Sequence, residues 1–361
     1  MRNKKDLFIS SLLGGAIGDA LGYSVELMNL GEIKSKFGEQ GITDLQINQA
    51  IGKAIISDDT QMTLFTADGL MWAYDRCSQR EIGSYAGNGV YQSYLRWYYT
   101  QTRKMPTEDY MFWLRRQPHE ELDSILDYKQ LFYQRAPGNT CLTALSSGQM
   151  GTMEKPINNS KGCGGVMRAA PVGLFLHRDP EHAFRIGAET AAITHGHPTG
   201  YLSAGVLAAL IAELINGKNI IESAMSAIKI LKSYTNHQET LSAIENAITL
   251  SNDNTNTEIA IGKLGEGWIA EEALAIALYC ALKESDFRKA LIMAVNHDGD
   301  SDSTGSICGN ILGAYYGMEV IPKEWIENIE LQDLIVDMSS KLFNISEKAY
   351  SSRSFKKRVK V

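Results

Sequence analysis

Along nearly all of this chain the apolar residues recur at intervals of three and four, the period of a helix, and almost nowhere do they alternate. Leu12, Leu13, Ala16, Ile17, Ala20 and Leu21 set the pattern, and Gly22 is placed to end that first helix. The stretch 60–74 repeats it, with Ser57, Asp58 or Asp59 available as N-cap. The same reasoning predicts helices over 82–99, 107–115, 120–128, 141–148, 181–193, 200–216, 220–233 and 240–250, and then over 271–282, 286–295, 306–316 and 331–348. Alternation is confined to 42–47 and 53–56, too short to build a sheet, so the expected fold is all-α. Runs such as Ser-Ala-Gly-Val-Leu-Ala-Ala-Leu from Ser203 let helix axes approach closely, which suits a compact multi-helix core. With no internal repeat and no Pro/Ser-rich linker, one domain over 1–350 is expected. The polar run 251–257 reads as a loop. The basic tail 351–361, with Arg353, Lys356, Lys357, Arg358 and Lys360, reads as a solvated, flexible end rather than a binding arm.

Hydrophobic residues make up 44% of the 361 and charged ones 21%, enough to fill a core of this size. A net charge of -7 argues against a protein that binds nucleic acid through its overall field. Cys77, Cys141, Cys163, Cys280 and Cys308 are scattered singly, which fits reduced thiols in a cytoplasm better than disulfides or a thiolate zinc site. Arg2, Lys4 and Lys5 before the apolar run 7–17 imitate a secretory signal. Asp6, Ser10, Ser11, Gly14 and Gly15 weaken the imitation, and Asp19 follows closely. No apolar run is read as approaching the roughly 20 residues that cross a bilayer, so no membrane partner is expected.

Two carboxylate groups stand apart from ordinary surface acids. One is Ser57-Asp58-Asp59-Thr60; the other is Asp298-Gly-Asp300-Ser-Asp302-Ser303-Thr304-Gly305; each leads into an apolar helix. Asp and Ser before a helix are preferred caps, and carboxylates there suit the helix dipole. Capping needs one such residue, however, and each run supplies at least two carboxylates and a hydroxyl. Several hard oxygens at one point suit Mg²⁺ or Mn²⁺, with no His or Cys among them to favour zinc. The bidentate Glu of an EF-hand is missing at its spacing. Glu26, at the end of the first helix, is a third candidate, though alone it would be a surface acid.

The second unusual feature is Ser160-Lys161-Gly162-Cys163-Gly164-Gly165, where three glycines in four positions would let backbone N–H groups approach an anion. It is neither a Walker loop nor a Rossmann fingerprint, and a tight interhelical turn explains it as well. His195 and His197 precede another helix; lacking a third nitrogen or sulfur ligand, they suit hydrogen bonds to a ligand or to the backbone rather than zinc.

In this order, the pieces resemble the ADP-ribosylglycohydrolase family, which includes the dinitrogenase-reductase-activating glycohydrolases. The resemblance rests on GAIGDALGYSVE (15–26), SDDTQMTLFTADGL (57–70), NSKGCGGVMRAAPVGLF (159–175), ITHGHPTGYLSAG (193–205), GWIAEEALAIAL (267–278) and NHDGDSDSTGSICGNILGA (296–314). It implies a compact all-α fold with a binuclear centre of two Mg²⁺ (or Mn²⁺). Ser57, Asp58 and Asp59 match its first ligand group and Asp300, Asp302 and Ser303 its second, with Asp302 expected to bridge both ions. Ser57 and Ser303 stand where the family often has Thr, and keep the hydroxyl. Glu26 matches an acid that contacts metal or closes over the ligand, and Gly162, Gly164 and Gly165 match a diphosphate-binding turn.

The implied chemistry is cleavage of the glycosidic bond at the distal ribose, freeing ADP-ribose from a modified protein, with ADP-ribosyl-arginine favoured by analogy. Asp58, Asp59 and Glu26 are the candidate acids and bases, and sequence does not separate ligand from base. The competing readings are a non-catalytic relative that binds ADP-ribose or blocks a toxin, a hydrolase of a serine or small-molecule linkage, and a phosphohydrolase. The role is either reversal of an endogenous modification or defence against an ADP-ribosyltransferase toxin. In the second case 103–136, with Trp113, Arg115 and Arg116, would add a contact surface.

Overall fold

The computed structural model describes residues 3–80, 86–120 and 123–351. Among them the chain is predominantly helical, as the period requires. Helices α1 (Lys4–Tyr23), α2 (Leu30–Phe37), α3 (Asp58–Arg80), α4 (Ala86–Thr102) and α5 (Asn139–Ser146) come first. Next are α6 (Ala170–Phe175), α7 (Pro180–Ala192), α8 (Pro198–Ile215), α9 (Ile220–Leu231), α10 (Gln238–Asn252) and α11 (Thr257–Leu264). The last are α12 (Ala270–Lys283), α13 (Phe287–Val295), α14 (Ser301–Tyr316), α15 (Lys323–Asn328) and α16 (Gln332–Ser351). The two alternating stretches yield only β1 (Ile47–Asn48) and β2 (Lys53–Ala54), an antiparallel pair with Ile47 opposite Ala54. The start of the helix expected over 82–99, and the basic tail from 352 on, lie outside the described residues.

The packing that places the functional residues is the antiparallel contact of α1 with α14. On α1, Ser10, Gly14, Gly18 and Gly22 recur every fourth residue; on α14, so do Ser301, Gly305, Gly309 and Gly313. The two rows face each other so closely that a Cβ on Gly14 would lie 2.5 Å from Gly309 O, on Gly18 2.0 Å from Gly305 O, and on Gly22 2.2 Å from Ser301 O. Side chains with no bulk let the backbones touch, and three hydrogen bonds close the seam. Ser10 Oγ donates to Gly313 O (2.7 Å), Ser11 Oγ to Asn310 O (3.0 Å), and Asn310 Nδ2 to Ser11 O (2.8 Å). Because the helices run in opposite directions, the end of α1 lies beside the beginning of α14.

Around this pair the buried apolar side chains form one continuous cluster. At its centre is α8, packed on α7, α9, α12, α6 and α14. It is 18 residues of apolar sequence, nearer to a bilayer-crossing length than the sequence reading allowed, but it is mostly buried inside the protein.

Four expectations need correcting. The helix expected over 120–128 is, in its described part, only the 3₁₀ turn Ile125–Asp127, with a second, Lys129–Phe132, just after it, because Glu120 is drawn inward by buried donors described below. The stretch 107–115 is also 3₁₀ (Glu108–Leu114), and its three-residue period stacks Tyr110 on Trp113 with ring centroids 4.5 Å apart. Short helices α2, α6, α11 and α15 were not anticipated, although Asn29 and Glu32 form a reciprocal capping box that the sequence displays. Finally, α14 begins five residues before the expected 306, so its acid run forms the first turn rather than a preceding loop.

Candidate functional site

Both acid runs are helix N-termini, and the fold brings them together. Ser57 caps α3, its Oγ accepting from Asp59 N at 3.1 Å. Asp58 and Asp59 follow in the first turn. Asp300 caps α14, accepting from Ser303 N at 3.2 Å, and Asp302, also bonded by Ser303 N (3.0 Å), sits in that first turn. The positive ends of two helix dipoles therefore point at one region, which favours anionic side chains there.

The bridge between the runs is Asp19, which the sequence reading left aside. From the end of α1 this fully buried carboxylate accepts Ser57 N at 2.9 Å, Thr60 N at 3.1 Å and the Thr60 hydroxyl. It ties α3's first turn to the α1–α14 seam. A carboxylate amid an apolar helical stripe was the signal that could have found it. Glu26, just beyond α1, belongs to the same group.

The acids of the site act on one another electrostatically. Burial, then the charge of Asp302, raises Asp19 to about 7. Burial, then Asp302 and Asp19, raises Glu26 to about 8. Burial and Asp302 push Asp58, Asp59 and Asp300 well above the carboxylate range. Asp302 is thus felt by acids from every segment of the site. Asp58 Oδ2 accepts from Gly138 N at 3.2 Å, whereas Asp59 Oδ2 is buried without a hydrogen-bond partner. Hard, mutually repelling oxygens, one of them unsatisfied, are the donor set that a divalent cation such as Mg²⁺ or Mn²⁺ relieves, so the residues fit that group.

The glycine-rich turn adjoins the acids: Cys163 Sγ donates to Asp300 Oδ2 at 2.7 Å. It is pinned from behind by Cys163 N to Trp268 O (3.1 Å) and Ala270 N to Lys161 O (2.8 Å). Gly164 and Gly165 have a packing reason as well: a Cβ there would come within 3.0 Å of His195 and of Ala191, while at Gly162 the nearest atom is His195 Nε2 at 3.5 Å. Ser160 Oγ lies 3.2 Å from Thr140 Oγ1 and accepts from Gly162 N (3.3 Å), shaping the turn's entry. His195 backs the turn, its Nδ1 2.9 Å from Thr194 Oγ1; burial, then the Arg168 charge, lowers it to about 3, so it is neutral. His197 turns away from the group and caps α8, its Nδ1 accepting from Thr199 N at 3.1 Å. All five cysteines are free thiols.

A second buried polar cluster lies along α3. Among the described residues only Asp68, His119 and Glu120 bring three ligand-type atoms within 4.8 Å of one another. There the positive charge is already supplied. Arg96 donates to Asp68 Oδ2 (3.0 Å), Glu120 Oε1 (2.8 Å) and Ser124 Oγ (3.0 Å), and His119 Nε2 meets Asp68 Oδ1 at 2.6 Å. Burial alone would raise Asp68, but Arg96 and then His119 hold it well below its ordinary value. Arg96→Met should leave Glu120 without its counter-charge and Asp68 with His119 alone, and cost about 3–5 kcal/mol. Urea unfolding measures it, and a loss below about 1 kcal/mol would show the cluster to be dispensable.

The scaffold is therefore an all-helical protein whose buried acids collect at two helix N-termini beside a glycine-rich turn. The family model for ADP-ribosylglycohydrolase matches residues 1–352, and the chain belongs to that family. It is 24% identical over 341 residues to ADP-ribosyl-[dinitrogen reductase] glycohydrolase of Rhodospirillum rubrum, covering 91% of each chain. It is 24% identical over 178 residues to ADP-ribosylarginine hydrolase Tri1 of Serratia proteamaculans, covering 49% of this chain and 45% of that one. A solved ADP-ribosylglycohydrolase-related protein complex superimposes with a TM-score of 0.66 at 22% identity over 96% of this chain and 100% of the other, so the fold is shared. Family membership supports glycohydrolase activity on ADP-ribosyl linkages.

Proposed function

We propose that this protein is a divalent-metal-dependent hydrolase that removes ADP-ribose from modified protein side chains, with ADP-ribosyl-arginine as the preferred linkage. The observation that carries the reading is that both acid runs open helices whose first turns meet beside Asp19, where Asp58, Asp59, Asp300, Asp19 and Glu26, from three separate segments, all feel the Asp302 charge. Two Mg²⁺ or Mn²⁺ ions, held by Ser57, Asp58, Asp59, Asp300, Asp302 and Ser303, would orient the distal ribose hydroxyls and acidify a water at its anomeric carbon. Asp59, whose Oδ2 has no internal partner, is the carboxylate free to take that water's proton. Glu26, which closes the same group of acids from the end of α1, is the acid assigned to the leaving nitrogen. Asp19 stays occupied with α3 and serves to fix its first turn. The turn at Gly162, Cys163, Gly164 and Gly165, with Ser160 before it and His195 behind it, is assigned to the diphosphate. The arginine preference leans on the name of the Serratia relative alone.

The test is incubation with arginine-linked and serine-linked ADP-ribosylated proteins, with and without chelator, and mass spectrometry of the products. Intact ADP-ribose with regenerated arginine, abolished by EDTA and restored by Mg²⁺ or Mn²⁺, is the expected result. Release unaffected by chelator would sink the metal assignment, release from serine alone the linkage, and phosphate release the glycosidic chemistry.

A further inference from the structure

From the last residues of the 3₁₀ turn Lys129–Phe132 to α5 the chain continues into no regular element, so the carbonyls there have no ladder to join. Side chains from α3, α4 and the residue after α4 take them in succession. Gln101 Nε2 donates to Leu131 O (3.2 Å), Arg103 Nη2 to Phe132 O (3.1 Å) and Gln61 Nε2 to Tyr133 O (3.1 Å). Asp58 N then donates to Arg135 O at 2.9 Å, and Gly138 N, at the segment's end, returns to Asp58 Oδ2 at 3.2 Å. The irregular segment is sutured to the helices and closes on an acid of the site.

Gln61 is the joint of this suture. It is fully buried, and its Oε1 accepts from Trp97 Nε1 (3.1 Å) and Gln101 Nε2 (3.0 Å). An indole N–H can only donate, so Oε1 must face Trp97 and the amide nitrogen must face Tyr133 O. The orientation is dictated from both sides.

We propose that Gln61 is a positioning residue for Asp58: by holding the Tyr133 carbonyl it sets Gly138 N–H against Asp58 Oδ2 and thereby fixes the carboxylate oxygen offered to a divalent cation. This rests on the reading of Asp58 as a metal ligand. Gln61→Glu separates the role from mere packing. It keeps the volume and the acceptor for Trp97 and Gln101, but replaces the donor with an oxygen that repels the Tyr133 carbonyl.

The experiment is calorimetric titration of the full-length protein with Mn²⁺, with far-UV circular dichroism as a check on folding. Gln61→Glu should lower Mn²⁺ affinity by about 10–100-fold, the usual cost of losing an outer partner of a metal ligand. In an Asp58→Asn background the same change should cost no more than about twofold, because its effect runs through that carboxylate. Gly138→Pro is the second variant: φ is -60° there, a Cβ would meet nothing within 4 Å, and the N–H that holds Asp58 Oδ2 is replaced by a ring carbon that cannot donate and pushes that oxygen away. It should reproduce the loss, and it decides alone if Asp58→Asn binds too weakly to titrate or Gln61→Glu does not fold. Wild-type affinity in Gly138→Pro, or an equal Gln61→Glu loss with and without Asp58, overturns the proposal. Wild-type protein that takes up no Mn²⁺, or Asp58→Asn that binds as tightly as wild type, overturns the metal reading itself, and is seen before any Gln61 variant is made.

Discussion

Asp302→Asn should abolish ADP-ribose release yet leave the protein, in chelator, at least as stable as the parent. The two halves of that result have one cause. Asp302 is the charge that Asp19, Glu26, Asp58, Asp59 and Asp300 all feel, and removing it relieves repulsion in the folded state. Asparagine keeps the oxygen that accepts from Ser303 N, so α14's first turn survives. On the proposed metal-dependent reading, what is lost is the carboxylate that would be shared between the two cations, with a cost of several kcal/mol of transition-state stabilisation, on the order of 10³-fold in rate.

The pH dependence follows with a definite sign. Asp19 and Glu26 titrate above their unfolded values of about 4 when folded, so between there and about 8 these two groups bind more protons in the folded state than in the unfolded one. The metal-free parent should therefore lose stability as pH rises through that window, and Asp302→Asn should lose less. Chelated unfolding curves at several pH values, beside the release assay, check both parts. Retained activity would remove Asp302 from the reaction, and a drop in metal-free stability above about 1 kcal/mol would show that it is structural.

Gly18→Ala and Gly262→Ala should move stability in opposite directions although both add one methyl to a helix. At Gly18 the new Cβ would stand 2.0 Å from Gly305 O and 2.4 Å from its carbon, both backbone atoms that cannot swing aside. The α1–α14 seam must open, at a cost of about 3 kcal/mol or more, the upper range for overpacking. Opening it also carries Asp19 and Glu26 away from Asp302, so release should fall with stability. At Gly262, on α11, nothing lies within 4 Å and the backbone is helical, so alanine should add up to about 1 kcal/mol. Denaturant unfolding of the two variants side by side measures the contrast. A neutral Gly18→Ala would mean that the glycine seam does not set the helix separation.

Much of this was legible in the chain. The three-to-four period gave most of the helices within a few residues, because burial of one face imposes that period on sequence. The acids of Ser57–Asp59 and Asp300–Ser303 were legible because adjacent carboxylates before an apolar helix exceed what capping needs. The short helices were missed because six or eight residues carry too little period, and the stretch 120–128 misled because Glu120 looks like a helix-surface acid until Arg96 is beside it.

By itself, the sequence determined the secondary structure and the chemical kind of the donors, since helical period and hard oxygen ligands are properties of residue type and local spacing. Only the tertiary structure decided that Asp19 and Asp302, nearly the whole chain apart, share one buried region, and that Asp68 answers to an arginine instead. The reason is physical: contact between α1 and α14 depends on matched rows of glycine meeting in space, and no single stretch of sequence records which row will face which.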